Sequence, residues 1–203
     1  MPLRCALVLV SYNSARFLGE CLDSVARQLR PFARVVVIDN GSSDRSVEIG
    51  TRPGVEVVAL TENLGYAAAA NLGIARCPEA DVVGVANVDV VLAPDFLQAA
   101  AEALLADPDI ALLSPLLLRF DGVTVDSAGQ ERSLALHPRE RGYGRPLPAE
   151  GFSPGAVFSV CGAVTLFTRR AIRHLLDRDG EVYDEDFFMF WEDFDVGWRA
   201  QAD

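Results

Sequence analysis

The sequence is poor in basic residues and has no long apolar run. Only 18 of its 203 residues are Lys or Arg, against 29 Asp and Glu, so the formal net charge is −11. Nucleic acids and anionic membrane surfaces attract basic proteins, and this balance therefore disfavours both as general partners. No uninterrupted apolar run reaches the ~18 residues of a membrane-spanning helix, and the N-terminal stretch lacks the apolar region and cleavage site of a signal peptide. We expect a cytoplasmic protein with no transmembrane segment and no nucleic-acid partner, with peripheral membrane contact as an open alternative.

Cysteines are few and widely spaced. Cys5, Cys21, Cys77 and Cys161 form no C-x-x-C pair, and three of them lie within or beside apolar runs. This pattern predicts reduced core cysteines, which fit a reducing compartment. Half of the residues are hydrophobic and 23% are charged, so the composition is that of a globular chain rather than a disordered one. At this length a single domain with a sizeable core is the simplest expectation.

Unbroken apolar runs recur through the first 118 residues. Runs without alternation predict strands that are covered on both faces, as in a parallel sheet. The predicted strands are Arg4–Val10, Arg34–Ile38, Val55–Leu60, Val82–Ala86 and Ile110–Leu118. Helical spacing or capping residues predict helices over 17–29, 45–49, 67–76 and 95–105. This alternation predicts an α/β fold in which right-handed crossovers build a mostly parallel central sheet flanked by helices.

Polar side chains follow four successive predicted strands. The strand ends carry Ser11-Tyr12-Asn13, Asp39-Asn40, Glu62-Asn63 and Asn87-Val88-Asp89. Parallel strands place these ends at one edge of the sheet, which is where open α/β folds bind ligands. We therefore predict a shared binding crevice, with ordinary polar loops as the alternative. Asp89, just past a fully apolar strand, is the first candidate for chemistry.

The composition changes after Phe120. The stretch 127–154 is rich in Gly, Pro, Arg and Glu with little periodicity, and aperiodic stretches of this length are usually functional or disordered. Val157–Phe167 is apolar again, and a helix is predicted over 169–176. The last segment, 184–199, is acidic and aromatic; we interpret Phe187, Phe188, Phe190, Phe194 and Trp198 as core residues. No cap or breaker marks Asp203, so we expect the chain to stop inside an element.

Six of these segments, in order, resemble the inverting family 2 glycosyltransferases, which have the GT-A fold. The matching segments are 10–13, 37–44, 62–71, 87–89, 162–163 and 190–195. Each is weak alone, but together they span nearly the whole chain. Asn87, where the family's D-x-D motif begins with Asp, is similar to the rhamnosyltransferase-like branch. The resemblance implies one GT-A-like catalytic domain over 1–203, with a nucleotide-binding half at 1–120 and an acceptor and base half at 121–203 that is truncated at its C-terminus.

The resemblance also implies a role for individual residues. The nucleotide pocket would be lined by Ser11, Tyr12, Asn13, Asp39, Asn63, Gly65 and Asn87. Asp89 would hold Mg²⁺ or Mn²⁺, and Asp193 would be the general base. Gly162, Ala163, Trp191 and Glu192 would lie near the sugar or the acceptor. The implied reaction moves a sugar from a nucleotide diphosphate-sugar donor to a hydroxyl of a glycan or lipid-linked sugar, in cell-surface polysaccharide or glycolipid synthesis.

The chemistry of these roles suits the residue types. A hard cation stabilises the charge that develops on a diphosphate leaving group, and carboxylate oxygen is its natural ligand. The neutral carbonyl of Asn87 is a weaker ligand than a second carboxylate. Inversion needs one base opposite the leaving group, whereas a glycosidase needs a protonated acid as well.

Three alternatives stay open at this point. A sugar nucleotidyltransferase would want a glycine-rich, basic phosphate loop near the N-terminus, which Ser11–Ser14 does not resemble. A non-catalytic nucleotide-sugar binding module is the second alternative. Glu192 and Asp193 could also be ordinary acidic residues in the first turn of a helix. The nucleotide base, the sugar, the acceptor and the oligomeric state cannot be read from the residues.

Overall fold

The computed structural model describes residues 3–133 and 137–201. Strands and helices alternate through the first half, where the sequence predicts them: β1 Cys5–Ser11, α1 Leu18–Ala26, β2 Arg34–Asp39, α2 Ser46–Gly50, β3 Val55–Ala59, α3 Tyr66–Ala75, β4 Val82–Asn87 and α4 Phe96–Ala106. The second half holds short strands, two α-helices and a 3₁₀ turn at Glu185–Phe187: β5 Leu112–Leu113, β6 Leu117–Leu118, β7 Val125–Ser127, β8 Gln130–Arg132, β9 Pro138–Glu140, β10 Val164–Thr168, α5 Arg169–Asp179 and α6 Glu192–Gln201.

A six-stranded sheet in the order β3-β2-β1-β4-β10-β5 forms the centre of the molecule. The pairs β1–β2, β1–β4 and β2–β3 are parallel, so four strands end at the same edge. The registers pair Ser11 with Asp39 and Val10 with Asn87. Three of the predicted polar strand ends are therefore next to one another, as the parallel pattern requires.

Both faces of the sheet are covered, which explains the unbroken apolar runs. Val8 belongs to one apolar cluster with residues of α3, and Leu9 belongs to another with residues of α1. Helix α3 lies very close to the sheet: a Cβ on Gly73 would meet Val8 Cγ1 at 2.1 Å. Glycine is needed there for helix and strand to approach so closely.

The single strand predicted over 110–118 is wrong. The structure has β5 and β6 there, with Pro115 between them. Proline has no backbone N–H to donate to a ladder, so it interrupts a strand. Strand β5 lies at the sheet edge and is antiparallel to β10, while β6 pairs with β7 in a separate two-stranded sheet.

The second half of the chain contributes to the same sheet. Strand β10 lies between β4 and β5 and is antiparallel to both. Helix α5 follows at once, with the Thr168 side chain accepting a hydrogen bond from the Ala171 N–H at 3.2 Å. The aperiodic stretch 127–154 contains β8 and β9, apart from 134–136, which lie outside the described residues. Helix α6 reaches Gln201, and the expectation for Asp203 also lies outside them.

Within 3–133 and 137–201, no helix combines the length and the apolar character that crossing a membrane requires. Cys5, Cys21 and Cys77 are buried, Cys161 is partly exposed, and all four are free thiols, as predicted.

Candidate active site

The ends of β1 and β2 carry two buried side-chain oxygens that lack partners. Asp39 is 1% exposed, and its Oδ1 accepts a hydrogen bond from the Ser42 N–H at 2.9 Å. Its Oδ2 and the hydroxyl of the adjacent Ser11 make no hydrogen bond within the part of the chain that the structure describes. Buried polar atoms are nearly always paired in native proteins. This pair of oxygens is therefore a place where N–H or O–H groups of a ligand would be accepted.

Asn13 joins the loops that follow β1 and β2. Its N–H donates to Ser42 Oγ at 2.8 Å, and its Oδ1 accepts from the Ser43 N–H at 2.9 Å. Its φ is +47°, a left-handed conformation that Asn tolerates better than most residues. Asn13 thus shapes the rim beside Asp39, and the neighbouring Tyr12 is 49% exposed and available to stack on a ligand.

Asn40 directly follows β2 and anchors the loop that follows β3. It is buried, and its Nδ2 donates to Asn63 Oδ1 at 2.9 Å and to the Gly65 carbonyl at 3.0 Å. Its Oδ1 accepts from the Leu64 N–H at 2.9 Å. Asn63 Oδ1 also accepts from the Gly65 N–H at 2.9 Å, so the Asn63 side chain shapes the loop.

Gly65 lets the second half of the chain contact this loop. Its φ is +89°, and a Cβ there would lie 2.6 Å from Phe188 Cδ2. The Phe188 carbonyl accepts from the Tyr66 N–H at 2.6 Å and so caps the N-terminus of α3. Glycine at position 65 is thus required by backbone conformation and by packing.

Asn87 and Asp89 follow β4 at the same sheet edge. The Asn87 N–H donates to the Ala163 carbonyl at 3.0 Å, which continues the pairing of β4 with β10. Asp89 is exposed and has no hydrogen bond or ion pair with any other described residue. Over 3–133 and 137–201 there is no group of three or more His, Cys, Asp or Glu that could hold a metal ion. A cation here would have Asp89 as its carboxylate ligand and would take other oxygens from phosphate and water, a set that suits Mg²⁺ or Mn²⁺.

Asp193 lies in the first turn of α6 with both carboxylate oxygens hydrogen-bonded. Its Oδ2 accepts from the Gly162 N–H at 2.7 Å and from Gln130 Nε2 at 2.9 Å, and its Oδ1 accepts from the Phe194 N–H at 2.8 Å. Burial raises the pKa of Asp193 above its ordinary value of 3.8, and the hydrogen bonds from Gly162, Phe194 and Gln130 oppose that rise. A carboxylate that is held in one orientation and is more basic than usual suits a general base.

Gly162 and Tyr66 connect Asp193 to the strand ends. A Cβ on Gly162 would lie 3.0 Å from Asp193 Oδ2, so the carboxylate rests directly on this backbone. The Tyr66 hydroxyl donates to the Gly162 carbonyl at 3.2 Å. Burial raises the pKa of Tyr66, and the negative charges of Glu192, Asp193 and Asp89 raise it further.

The segment before Asp193 is strained and exposes aromatic rings. Phe188, Phe190 and Trp191 all have positive φ, which is uncommon for bulky residues. Trp191 is 44% exposed, and its ring meets those of His137 and Phe194 edge-on, with centroid distances of 5.3 and 6.2 Å.

The interpretation of the late aromatics as core residues holds only for Phe194, which is 6% exposed. The others are exposed: Phe187, Phe188, Phe190 and Trp198. Of these, Phe188 and Phe190 have a left-handed backbone. Glu192, by contrast, is buried, burial raises its pKa, and its Oε2 finds no partner among residues 3–133 and 137–201.

Two residues near Asp193 were not predicted as site residues from the sequence. Gln130 contacts the carboxylate directly, and Glu140 contacts Gln130 at 2.8 Å. Both lie in the aperiodic stretch 127–154, and the length of that stretch was the one feature of the sequence that indicated a function there. Arg199 donates to Asp195 at 2.6 Å and to Asp179 at 3.1 Å.

The mostly parallel sheet, the buried polar groups at its strand ends and the later antiparallel strand beside β4 match the GT-A class of glycosyltransferase folds. The family model described as "Glycosyl transferase family 2" matches residues 6–176. The chain therefore belongs to glycosyl transferase family 2, which confirms the predicted fold, family and enzyme class.

Named relatives support this assignment. The chain is 29% identical over 218 residues to N-acetylglucosaminyl-diphospho-decaprenol L-rhamnosyltransferase of Mycobacterium tuberculosis, a match that covers 95% of this chain and 69% of the relative. The resemblance to the rhamnosyltransferase-like branch is thereby confirmed.

Two solved structures show the same fold. S. aureus TarS 1–349 in complex with UDP gives a TM-score of 0.67 at 20% identity, covering 98% of this chain and 55% of that one. The mannosyltransferase PcManGT from Pyrobaculum calidifontis, in complex with GDP-Man and Mn²⁺, gives a TM-score of 0.66 at 22% identity. That match covers 97% of this chain and 51% of the solved one. The chain spans about half the length of these two solved chains.

Proposed function

We propose that this chain carries the catalytic site of an inverting glycosyltransferase that transfers a sugar from a nucleoside diphosphate to a hydroxyl acceptor. One observation supports it above the others. Asp193 accepts from the Gly162 N–H at 2.7 Å, and the next residue, Ala163, accepts from the Asn87 N–H at 3.0 Å. Two consecutive residues, Gly162 and Ala163, are thus hydrogen-bonded to the candidate base and to the end of β4. The candidate metal ligand Asp89 follows two residues after that strand end.

The donor site is formed by the ends of β1 to β4. Asp39 Oδ2 and Ser11 Oγ accept N–H or O–H groups of the base or the ribose, since both are buried and lack partners among the described residues. Tyr12, Asn13, Asn63, Gly65 and Asn87 complete the rim. Asp89 would hold Mg²⁺ or Mn²⁺, and such an ion would supply positive charge that stabilises a diphosphate leaving group. The relative fold PcManGT was solved with GDP-Man and Mn²⁺, which supports this donor class.

The acceptor site lies on the other side of the sugar, at Asp193. Its carboxylate takes the proton of the attacking hydroxyl while Gly162 and Ala163 support the sugar from the backbone. Trp191 and Glu192 border the acceptor. The half of the domain at 1–120 thus binds nucleotide, and the half at 121–203 supplies the base and the acceptor contacts.

A lipid-linked sugar is the acceptor we favour. The mycobacterial relative is named for a decaprenol-linked N-acetylglucosaminyl diphosphate. In this chain Phe188, Met189 and Phe190 are 50%, 50% and 69% exposed, within five residues of Asp193. An exposed apolar segment beside a base suits an acceptor with an apolar portion. The product then belongs to cell-surface polysaccharide or glycolipid synthesis, and four free thiols fit a reaction in the cytoplasm.

Donor binding tests the first half of this proposal. Thermal unfolding is measured with UDP-, GDP- and thymidine diphosphate-sugars, with and without MnCl₂. Ligands that bind the native state raise Tm by mass action, so one nucleotide class should raise it in the presence of Mn²⁺. The free nucleosides are the matched controls. If no nucleotide sugar raises Tm at any metal concentration, the proposal is wrong.

Stereochemistry tests the second half. The protein is incubated with the donor that binds and with polyprenol-diphosphate N-acetylglucosamine, and the anomeric proton of the product is followed by NMR. The proposal predicts a glycosidic bond with configuration opposite to that of the donor. Retention would exclude the single-base mechanism, and binding without turnover would identify a nucleotide-sugar binding module.

A further inference from the structure

A buried polar network lies behind Asp193. Gln130 is 3% exposed, and its amide nitrogen donates to Asp193 Oδ2 at 2.9 Å and to Glu140 Oε1 at 2.8 Å. The other oxygen of Glu140 accepts from the hydroxyl of Ser127, which is fully buried. An amide NH₂ group can donate two hydrogen bonds, and here each carboxylate accepts one of them.

The fold holds Gln130 rigidly. Gln130 and Glu140 are register partners in the antiparallel pair β8–β9, so their side chains share one face. The Gln130 N–H donates to the Ser159 carbonyl at 2.8 Å, and its own carbonyl accepts from the Phe158 N–H at 2.9 Å. Ser159 Oγ in turn donates to the Asp193 carbonyl at 2.6 Å. Strand β8 and the first turn of α6 are thus tied together by backbone and side-chain bonds.

We propose that Gln130 is a positioning residue for the base: its amide holds the Asp193 carboxylate in one orientation and favours its ionised form, while Glu140 holds the amide in place. This inference rests on the proposed function, because it assigns a purpose to Asp193 in catalysis. Neither the sequence motifs nor the family relationship assigns a role to Gln130 or Glu140.

Gln130 and Glu140 have opposite electrostatic effects on the pKa of Asp193. A hydrogen bond donated to a carboxylate stabilises its charged form, so Gln130 lowers the pKa of Asp193 against the rise that burial causes. A nearby carboxylate has the reverse effect: the charge of Asp193 contributes to raising the pKa of Glu140, and the interaction is mutual. Other titratable groups that interact with Asp193 are Tyr66 on α3, Cys161 before β10, Tyr183 after α5 and Glu192 on α6.

The test uses two variants that keep side-chain volume. Gln130→Met removes both donated hydrogen bonds, and Glu140→Gln removes a negative charge while keeping a carbonyl that accepts from Gln130. Metal-free protein labelled with ¹³C at the aspartate carboxyls is titrated by NMR, and the Asp193 resonance is identified by its loss in Asp193→Asn.

We expect the Asp193 midpoint to move up by ~0.5–1 pH unit in Gln130→Met and down in Glu140→Gln. The acid limb of the pH profile for kcat/KM, measured with the donor that binds, should move in the same two directions. In Gln130→Met kcat should fall about 10- to 100-fold, with the KM for the donor little changed, because a hydrogen bond to a charged group is lost.

Opposite shifts of the Asp193 midpoint in the two variants distinguish a positioning role from a purely structural one. A general loosening of the site would move the midpoint in the same direction in both variants. Midpoints that do not move, or that move in the same direction, would overturn the inference. If Gln130→Met does not fold, Glu140→Gln is measured alone: a lower Asp193 midpoint supports the inference, and an unchanged or higher midpoint overturns it. A separate failure is distinguishable: if Asp193→Asn keeps full transfer activity, the proposed function itself is wrong.

Discussion

Replacing Asp193 with Asn removes the proposed base and keeps the shape of the side chain. The new amide carbonyl can accept from Gly162 N–H and Gln130 Nε2, as Oδ2 does at 2.7 and 2.9 Å. The new NH₂ group then faces the Phe194 N–H, which donates to Oδ1 at 2.8 Å in the native protein. One hydrogen bond is therefore lost and two donors oppose each other, which costs ~1–3 kcal/mol of folding free energy.

A second effect offsets this cost. The pKa of Asp193 is raised in the folded protein, so its ionised form is disfavoured by folding. That penalty is absent below the ordinary value of 3.8 and develops as pH rises through the folded pKa. The variant escapes the penalty at neutral pH, and we expect a net change within ~2 kcal/mol, or roughly 4–8 °C in Tm. With a typical domain stability of ~5–15 kcal/mol, the variant stays folded at 25 °C.

Activity should fall far more than stability. Loss of a general base lowers turnover by ~10²–10⁴, which corresponds to about 2.7–5.5 kcal/mol of barrier. Donor affinity, read from the Tm increase with nucleotide sugar and Mn²⁺, should be unchanged. The control is Asp195→Asn in the same helix, which removes the charge that pairs with Arg199 at 2.6 Å and should lower Tm while leaving turnover intact. A variant at position 193 with kcat within threefold of wild type would refute the role of Asp193.

Three further predictions concern packing and the donor site. Gly73→Ala should lower stability by ~1–3 kcal/mol in denaturant unfolding, because its Cβ would meet Val8 Cγ1 at 2.1 Å. In Gly19→Ala, in α1, the new Cβ would contact the flexible end of Arg52 at 3.4 Å and Ile49 Cγ2 at 3.7 Å, so the change should be neutral or stabilising; equal effects at both positions would contradict the packing. Asp39→Asn should weaken nucleotide binding by about 10- to 100-fold in calorimetry, since a charge-assisted acceptor is lost; unchanged affinity would remove Asp39 from the donor site. Asp89→Ala should abolish the effect of Mn²⁺ on donor affinity without changing Tm in the absence of ligand, and a persisting Mn²⁺ effect would argue against it as the metal ligand.

Much of the first half of the chain could be predicted because its signals are local. Strands covered on both faces require unbroken apolar runs, and each run here ends in polar residues at the strand's carboxyl end. Parallel strands then place these ends at one edge of the sheet. The strand order that sets Ser11 beside Asp39 and Val10 beside Asn87 comes from the structure. Asn40 could have been proposed as a loop anchor, since a polar residue directly after a buried strand needs internal partners.

The second half could not be predicted in the same way, because its pairings are distant in sequence. Strand β10 pairs Leu166 with Gly84 and Leu113, and nothing in the residues of β10 specifies either partner. Gln130 lies in a strand of three residues, too short to show a period. The exposure of Phe190 follows from a φ of +72°, which composition does not reveal.

The central claim is that the strand ends and Asp193 face one bound nucleotide sugar. A crystal structure with a nucleoside diphosphate and Mn²⁺ tests it most directly. We predict the base or ribose on Asp39, the metal on Asp89, and the Asp193 carboxylate facing the terminal phosphate across the space for the sugar. A nucleotide bound away from β1 and β2, or one with Asp193 turned to another surface, would contradict the account.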